Sequence, residues 1–249
     1  MARQNGILKI KGTIGGMTFY KSQDGDLVRE KGGVDASRIA NDPAFARTRE
    51  NGAEFGAAGT AGKLLRDALR SLMMNASDGR VTSRLTQKMT EILKLDSTNT
   101  RGNRTIAEGL VDVSGKMAFK GFDFNANAIL KSILFKKYSV DTATGGIAIN
   151  GLVPINDVAF PSGATHMSLT SGFAIVDFAT SETDLETSAS INMAIDANIN
   201  NMVLIPAVLP TGTGIKFFLL KVEFFQIVNG QQYGLKNGAY NALSIVEVA

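Results

Sequence analysis

The chain has 249 residues, 44% of them apolar and none of them cysteine, so it can bury a substantial core but must hold it by packing, without disulfides or thiolate metal sites. The formal charge of +3 hides an uneven split: residues 1–124 carry 20 Lys+Arg against 14 Asp+Glu, residues 125–249 carry 6 against 9, and every arginine lies at or before Arg104. No stretch reaches about 18 uninterrupted apolar residues and the start, MARQNGILKIKGTIGG, lacks the apolar run of a signal peptide, which predicts a soluble, cytoplasmic chain without membrane insertion; release or signal-independent export stays open.

Residues 7–31 alternate in the manner of strands, with Ile7, Lys9 and Lys11 set against Leu8 and Ile10. Met17, Phe19 and Tyr20 follow the turn Thr13-Ile14-Gly15-Gly16, and Leu27 to Glu30 follow Gln23-Asp24-Gly25. A β-meander this small is barely stable alone and must lie on another sheet, a helix or a neighbouring subunit. Val34 to Asn41 reads as a short helical turn. Asp42 then supplies an N-cap carboxylate before Pro43, opening a helix predicted to run towards Asn75. Gly52, Gly56, Gly59 and Gly62 share one face of this helix. Each interior glycine costs roughly 1 kcal/mol against alanine, so four on one face imply a backbone that must approach something closely.

Beyond Gly62 the stripe Leu64, Leu65, Ala68, Leu69, Leu72 and Met73 is that of a core-facing helix. Asn75 to Gly79 breaks it. Val81, Leu85, Met89, Ile92 and Leu93 predict a second amphipathic helix, packed on the first as an antiparallel hairpin. Residues 96–127, rich in Asn, Gly, Thr and charge, read as a connector with at most one helical turn around Ile106 and Leu110. Seven strand-like runs follow: 129–138, 146–150, 165–178, 188–195, 202–209, 215–228 and 242–248. Asn229-Gly230 is the sharpest hairpin signal, and the run Lys216 to Phe225 is too apolar for an edge strand. The predicted fold class is therefore α+β: a β-meander plus helical hairpin over residues 1–110, a connector over 111–121, and an all-β immunoglobulin-like sandwich over 122–249.

The motifs KGTIGGMTFYK (Lys11 to Lys21), REKGGVDASRIANDPAFARTREN (Arg29 to Asn51), EFGAAGTAGKLLRDALRSLM and LKNGAYNALSIV (Leu235 to Val246) carry a resemblance. Across essentially its whole length the chain resembles a family of small bacterial proteins of unknown function that begin MARQ-x-G. That resemblance implies no activity, cofactor or catalytic residue.

Reaction templates find no complete match. His166 is the one histidine, so a His–His metal pair is excluded and a Ser–His–Asp triad would rest on it alone, with no Gly-x-Ser-x-Gly elbow. Gly56-Ala-Ala-Gly59 and Gly212-Thr-Gly214 do not make a dinucleotide fingerprint, Gly62-Lys63 is followed by Leu64 rather than Ser or Thr, and Asp24-Gly25-Asp26 reads as a turn. No catalytic residue, cofactor or metal ligand is predicted.

Arg47 with Glu50, and Arg49 with Glu50 and Glu54, suit either local ion pairs or contacts across a subunit boundary. Together with Phe45, Gly52, Phe55, Gly56 and Gly59 they form the candidate subunit interface. The basic set Arg66, Arg70, Arg80, Arg84, Arg101 and Arg104 is interleaved with Asp67, Asp78 and Glu91 and lacks a stacking aromatic, so nucleic acid is possible but not favoured as a partner. The sequence reading is a non-enzymatic structural subunit that self-assembles into a homo-oligomer, tube or filament through its N-terminal module. The alternatives are a nucleic-acid-binding protein, a ligand- or glycan-binding sandwich, and a glycine seam that packs on the chain's own meander.

Overall fold

The computed structural model describes residues 2–30 and 32–249; Met1, which opens the expected first module, and Lys31, where the meander was expected to close, lie outside them. The chain is α+β and divides into two compact units, one ending at Glu50 and the other spanning Asn51–Ala249.

The first unit carries a four-stranded antiparallel sheet of order β1-β4-β3-β2, built from β1 (Ala2–Arg3), β2 (Gly12–Ile14), β3 (Met17–Ser22) and β4 (Gly25–Glu30). Gly15, at φ 57°, turns β2 into β3, and Gly25, at φ 108°, opens β4; both conformations suit a residue without Cβ. The strand expected over residues 7–11 is absent. Those residues form a loop, because the Gln4 side chain takes the main chain of Ile10 that a neighbouring strand would otherwise pair: Oε1 accepts from Ile10 N at 3.0 Å and Nε2 donates to Ile10 O at 3.3 Å. Helix α1 (Ala36–Asn41) follows, capped by Asp35, whose Oδ1 accepts from Ser37 N at 2.8 Å. Asp42 caps the 3-10 turn Pro43–Phe45 in the same way through Ala44 N, as its position before proline predicts.

Helix α2 (Ala46–Ala68) is interrupted at Leu69, and α3 (Arg70–Met73) completes the expected stripe. Helix α4 (Val81–Leu93) buries Val81, Leu85, Met89, Ile92 and Leu93, the residues its periodicity singles out. The expected connector is more helical than its composition suggests: α5 (Ile106–Gly109) and α6 (Val113–Phe119) lie within it, started by Thr105 and Asp112 caps. Their approach is close enough that a Cβ on Gly109 would fall 2.2 Å from Ile92 O, and one on Gly115 2.1 Å from Gly109 O.

Where a strand was expected over 129–138 there is a helical turn, α7 (Leu130–Ile133), and only β5 (Tyr138–Val140) is extended. Then come β6 (Ile147–Leu152), α8 (Pro154–Asp157), β7 (His166–Val176), β8 (Thr183–Thr187), β9 (Ile191–Ala194), β10 (Asn200–Leu204), β11 (Ile215–Val228), β12 (Gln231–Gly234) and β13 (Ala242–Val248). The charged strand β8 has no apolar alternation and escaped the sequence reading. β11 and β12 form the predicted hairpin, with Asn229 at φ 51° and Gly230 at φ 78°.

β11 is central to a six-stranded sheet, flanked by β7 on one side and by β12 and β13 on the other; β8 and β9 pair with β7. A separate three-stranded sheet has the order β10-β6-β5. β11 buries both faces. Phe217 and Leu219 join Leu65, Leu69, Leu85, Met89, Phe119 and Phe124 in a core under the helices. Phe218, Leu220, Val222 and Phe224 join Ile147, Ile149, Leu152, Met202 and Leu204 in a second core against the smaller sheet. The helical hairpin therefore shares its core with strands far along the chain, and no boundary between cores falls at the expected 111–121 connector. The helices could not fold as a separate layer without exposing that stripe to water.

Candidate functional site

The predicted interface residues lie on one stretch. Phe45 is half-buried under the Arg38 guanidinium, which stands 5.5 Å from its ring centroid. Arg38 Nε also pairs with Asp42 at 3.1 Å, and that bond, after the Ala44 N–H, helps hold the Asp42 carboxyl below its ordinary value. Arg47 and Glu50 form the expected local pair at 2.8 Å. Arg49 differs from expectation: its Nη1 donates to Ile39 O at 2.7 Å and Asp42 O at 3.0 Å, meeting carbonyls at the end of α1 instead of a glutamate.

The glycine row divides in two. A Cβ on Gly62 would lie 3.7 Å from Leu85 Cγ and 3.8 Å from Met89 Cγ, so this glycine sits where α2 meets α4. A Cβ on Gly52, Gly56 or Gly59 would meet nothing within 4 Å among the described residues. Phe55, on the same face, is 64% exposed. It forms one wall of an open groove of about 620 Å³ whose other wall is the polar face of α4, including Thr82, Thr86, Thr90, Glu91 and Lys94.

The opposite, buried side of α2 is anchored by an acid that the sequence reading took only as a partner for Arg49. Glu54 Oε1 accepts from Gly102 N at 2.8 Å and lies 3.8 Å from Arg104 Nε, while Arg101 Nη2 donates to Asn51 Oδ1 at 2.6 Å. Next to them Asp96 is buried and accepts from Thr98 N, Asn99 N, Asn99 Nδ2 and Thr105 N at 2.8–2.9 Å. Burial pushes its carboxyl up, but those donors outweigh it and bring the pKa down to about 2. Two of the Arg-rich set are thus tied into the fold. A third, Arg84, donates to Asp123 O at 2.7 Å and Phe124 O at 3.0 Å and pairs with Asp78.

The first unit supplies surface that the sequence reading undervalued. Among its described residues no side chain is buried. Ile14 stands opposite Met17, and Phe19 opposite Val28, so four apolar residues line one face of its sheet. Ile7 and Leu8, at the tip of the loop before β2, are fully or almost fully exposed.

His166 lies on β7, half-buried, with Nδ1 3.1 Å from Thr165 Oγ1. Among the described residues no three His, Cys, Asp or Glu side chains gather where a metal could sit, and no helix is long and apolar enough to cross a membrane. The chain matches no family model, no curated protein and no solved structure.

Proposed function

We propose that the protein is a non-enzymatic structural subunit that assembles with copies of itself through its first fifty residues and the open face of α2. One observation carries this reading: residues up to Glu50 make a four-stranded sheet with an apolar row and an apolar loop tip, yet bury no side chain among those described. Sheets of this size derive their stability from a packed face, so a surface supplied by another copy accounts for the element. The open row Gly52, Gly56 and Gly59, with exposed Phe55 beside it, supports the same reading, because it would let a partner backbone approach α2 at no cost within the chain. Phe45, Arg47, Arg49 and Glu50 then flank the contact. On this reading the paired sheets of the C-terminal part are an immunoglobulin-like sandwich carried by the assembly, in a cytoplasmic protein akin to the bacterial family it resembles.

The test is light scattering and negative-stain microscopy on the wild type and on a Gly56→Leu, Gly59→Leu variant. A Cβ at either position would meet nothing within 4 Å, so the variant should keep its fold and lose what docks there. Wild-type particles larger than one 26.5 kDa chain, reduced in the variant, are the expected result. A wild type that stays monomeric across the concentration range would refute self-assembly.

A further inference from the structure

The loop over residues 4–11 is a built feature. Gln4 holds Ile10 by both main-chain groups, its Nε2 also donates to Leu27 O at 3.1 Å on β4, and Lys9 Nζ rests on Gln4 O. The apolar pair Ile7-Leu8 is thereby presented at the tip with Lys9 and Lys11 just behind it, and a tip fixed before contact loses less entropy on docking.

The second unit offers a surface of matching order. β10 is an edge strand of the three-stranded sheet; it turns Met202 and Leu204 into the core and leaves Val203 exposed, with Ile205, Val208 and Leu209 exposed beyond it. Immediately after this apolar stretch, Thr211 to Thr213 lie against carboxylates. Asp184 Oδ2 accepts from Thr211 N at 2.8 Å, Asp177 Oδ2 accepts from Thr213 Oγ1 at 3.2 Å, and Glu182 and Asp184 line a recess of about 430 Å³.

We infer that the Ile7-Leu8 tip of one copy seats on Val203, Ile205, Val208 and Leu209 of a second copy, with Lys9 and Lys11 facing Glu182 and Asp184. The inference rests on the self-assembly reading and adds a specific contact to it. Apolar residues followed by cations meet apolar residues followed by anions, so burial and charge agree on one register. The two patches differ, which makes the contact heterologous: each copy offers a tip and accepts one, and the assembly grows head to tail.

The absence of native cysteine allows a clean test, since an introduced thiol is the only one in its chain. Full-length Leu8→Cys and Val203→Cys variants, carrying different tags, are mixed under oxidised glutathione; neither can close a disulfide within itself. A mixed disulfide dimer of twice the 26.5 kDa chain mass is expected, in excess of either homodimer, and is lost when Ile7→Asp is added to the Leu8→Cys chain. If the wild type assembles but the mixed dimer is no more abundant than the homodimers, the tip contact is wrong while self-assembly stands. Val203→Cys pairing preferentially with itself would place like patches together and overturn the contact too. A monomeric wild type would remove both readings.

Discussion

Gln4 and Ile10 are joined as if they belonged to neighbouring strands, with the side-chain amide of Gln4 bonding both the N–H and the C=O of Ile10. This single side chain stands in for a strand and keeps the Ile7-Leu8 tip in place. Gln4→Ala removes both bonds, each worth about 1 kcal/mol. Hydrogen exchange at the Ile10 amide should then accelerate by about tenfold or more, and assembly should begin at higher protein concentration. Gln4→Glu keeps the acceptor for Ile10 N and should fall between the two. Unchanged Ile10 protection in Gln4→Ala would show that the loop is held by something else.

Within the glycine row, identical substitutions should have opposite effects on stability. Gly56→Leu and Gly59→Leu, facing open space, should each raise the denaturation midpoint, by roughly 0.5–1 kcal/mol of helix propensity. Gly62→Leu would press on Leu85 and Met89 and should lower stability by about 1–3 kcal/mol. Urea titration of the three variants at low protein concentration, where assembly does not contribute, separates the two classes.

Asp96 sets an acid limit on the loop that joins α4 to α5. Its folded pKa of about 2 lies below the ordinary 3.8, so the folded state favours the ionised form; its contribution is complete above the unfolded value and disappears as pH falls through the folded one. The shift corresponds to about 2 kcal/mol. The stability difference between wild type and Asp96→Asn should therefore shrink as pH falls from about 4 to about 2. A difference that stays constant over that window would mean that the carboxylate charge is not what the loop depends on.

Arg84 ties α4 to the chain before α7. It donates to two consecutive carbonyls, Asp123 O and Phe124 O, pairs with the nearly buried Asp78, and lies 5.3 Å from the Phe122 ring centroid. Arg84→Ala leaves Asp78 without its cation and should cost about 2–4 kcal/mol. Arg84→Lys should recover little of this, because a single ammonium cannot reproduce the planar fork. Full recovery with lysine, measured by thermal unfolding, would show that charge alone suffices there.

Local signals were enough to locate much of the fold. The cap at Asp42, the stripe of α4, the Asn229-Gly230 hairpin and the two-sided apolar run of β11 each depend on residues near in sequence, so the sequence by itself determined them. It also placed a row of glycines on one face of α2, and the apolar residues of the N-terminal sheet. What it could not determine was where backbones approach each other. Inside the chain an added Cβ would lie 2.6 Å or less from a neighbouring atom at Gly109, Gly115, Gly145, Gly172, Gly214 and Gly238, with main-chain oxygens the nearest atoms at Gly109, Gly115, Gly214 and Gly238, and not at Gly52, Gly56 and Gly59. Those distances depend on partners far away in the chain: Leu72 reaches Gly172, and Asn75 O reaches Gly238.

Tertiary structure decided three further matters. Ile7 to Lys11 alternates as a strand does, but a nearby glutamine occupies the pairing groups of Ile10, and a loop results. Residues 106–119 look like a polar linker, but Ile106, Leu110 and Phe119 find a core built mostly from other segments and fold as helical turns. The apolar stretch after Met202 reads as one more strand, yet only alternate side chains find the core, leaving Val203 and Ile205 exposed. Burial is a property of the whole folded chain, so the apolar surface left exposed could be seen only after the chain's own cores were filled.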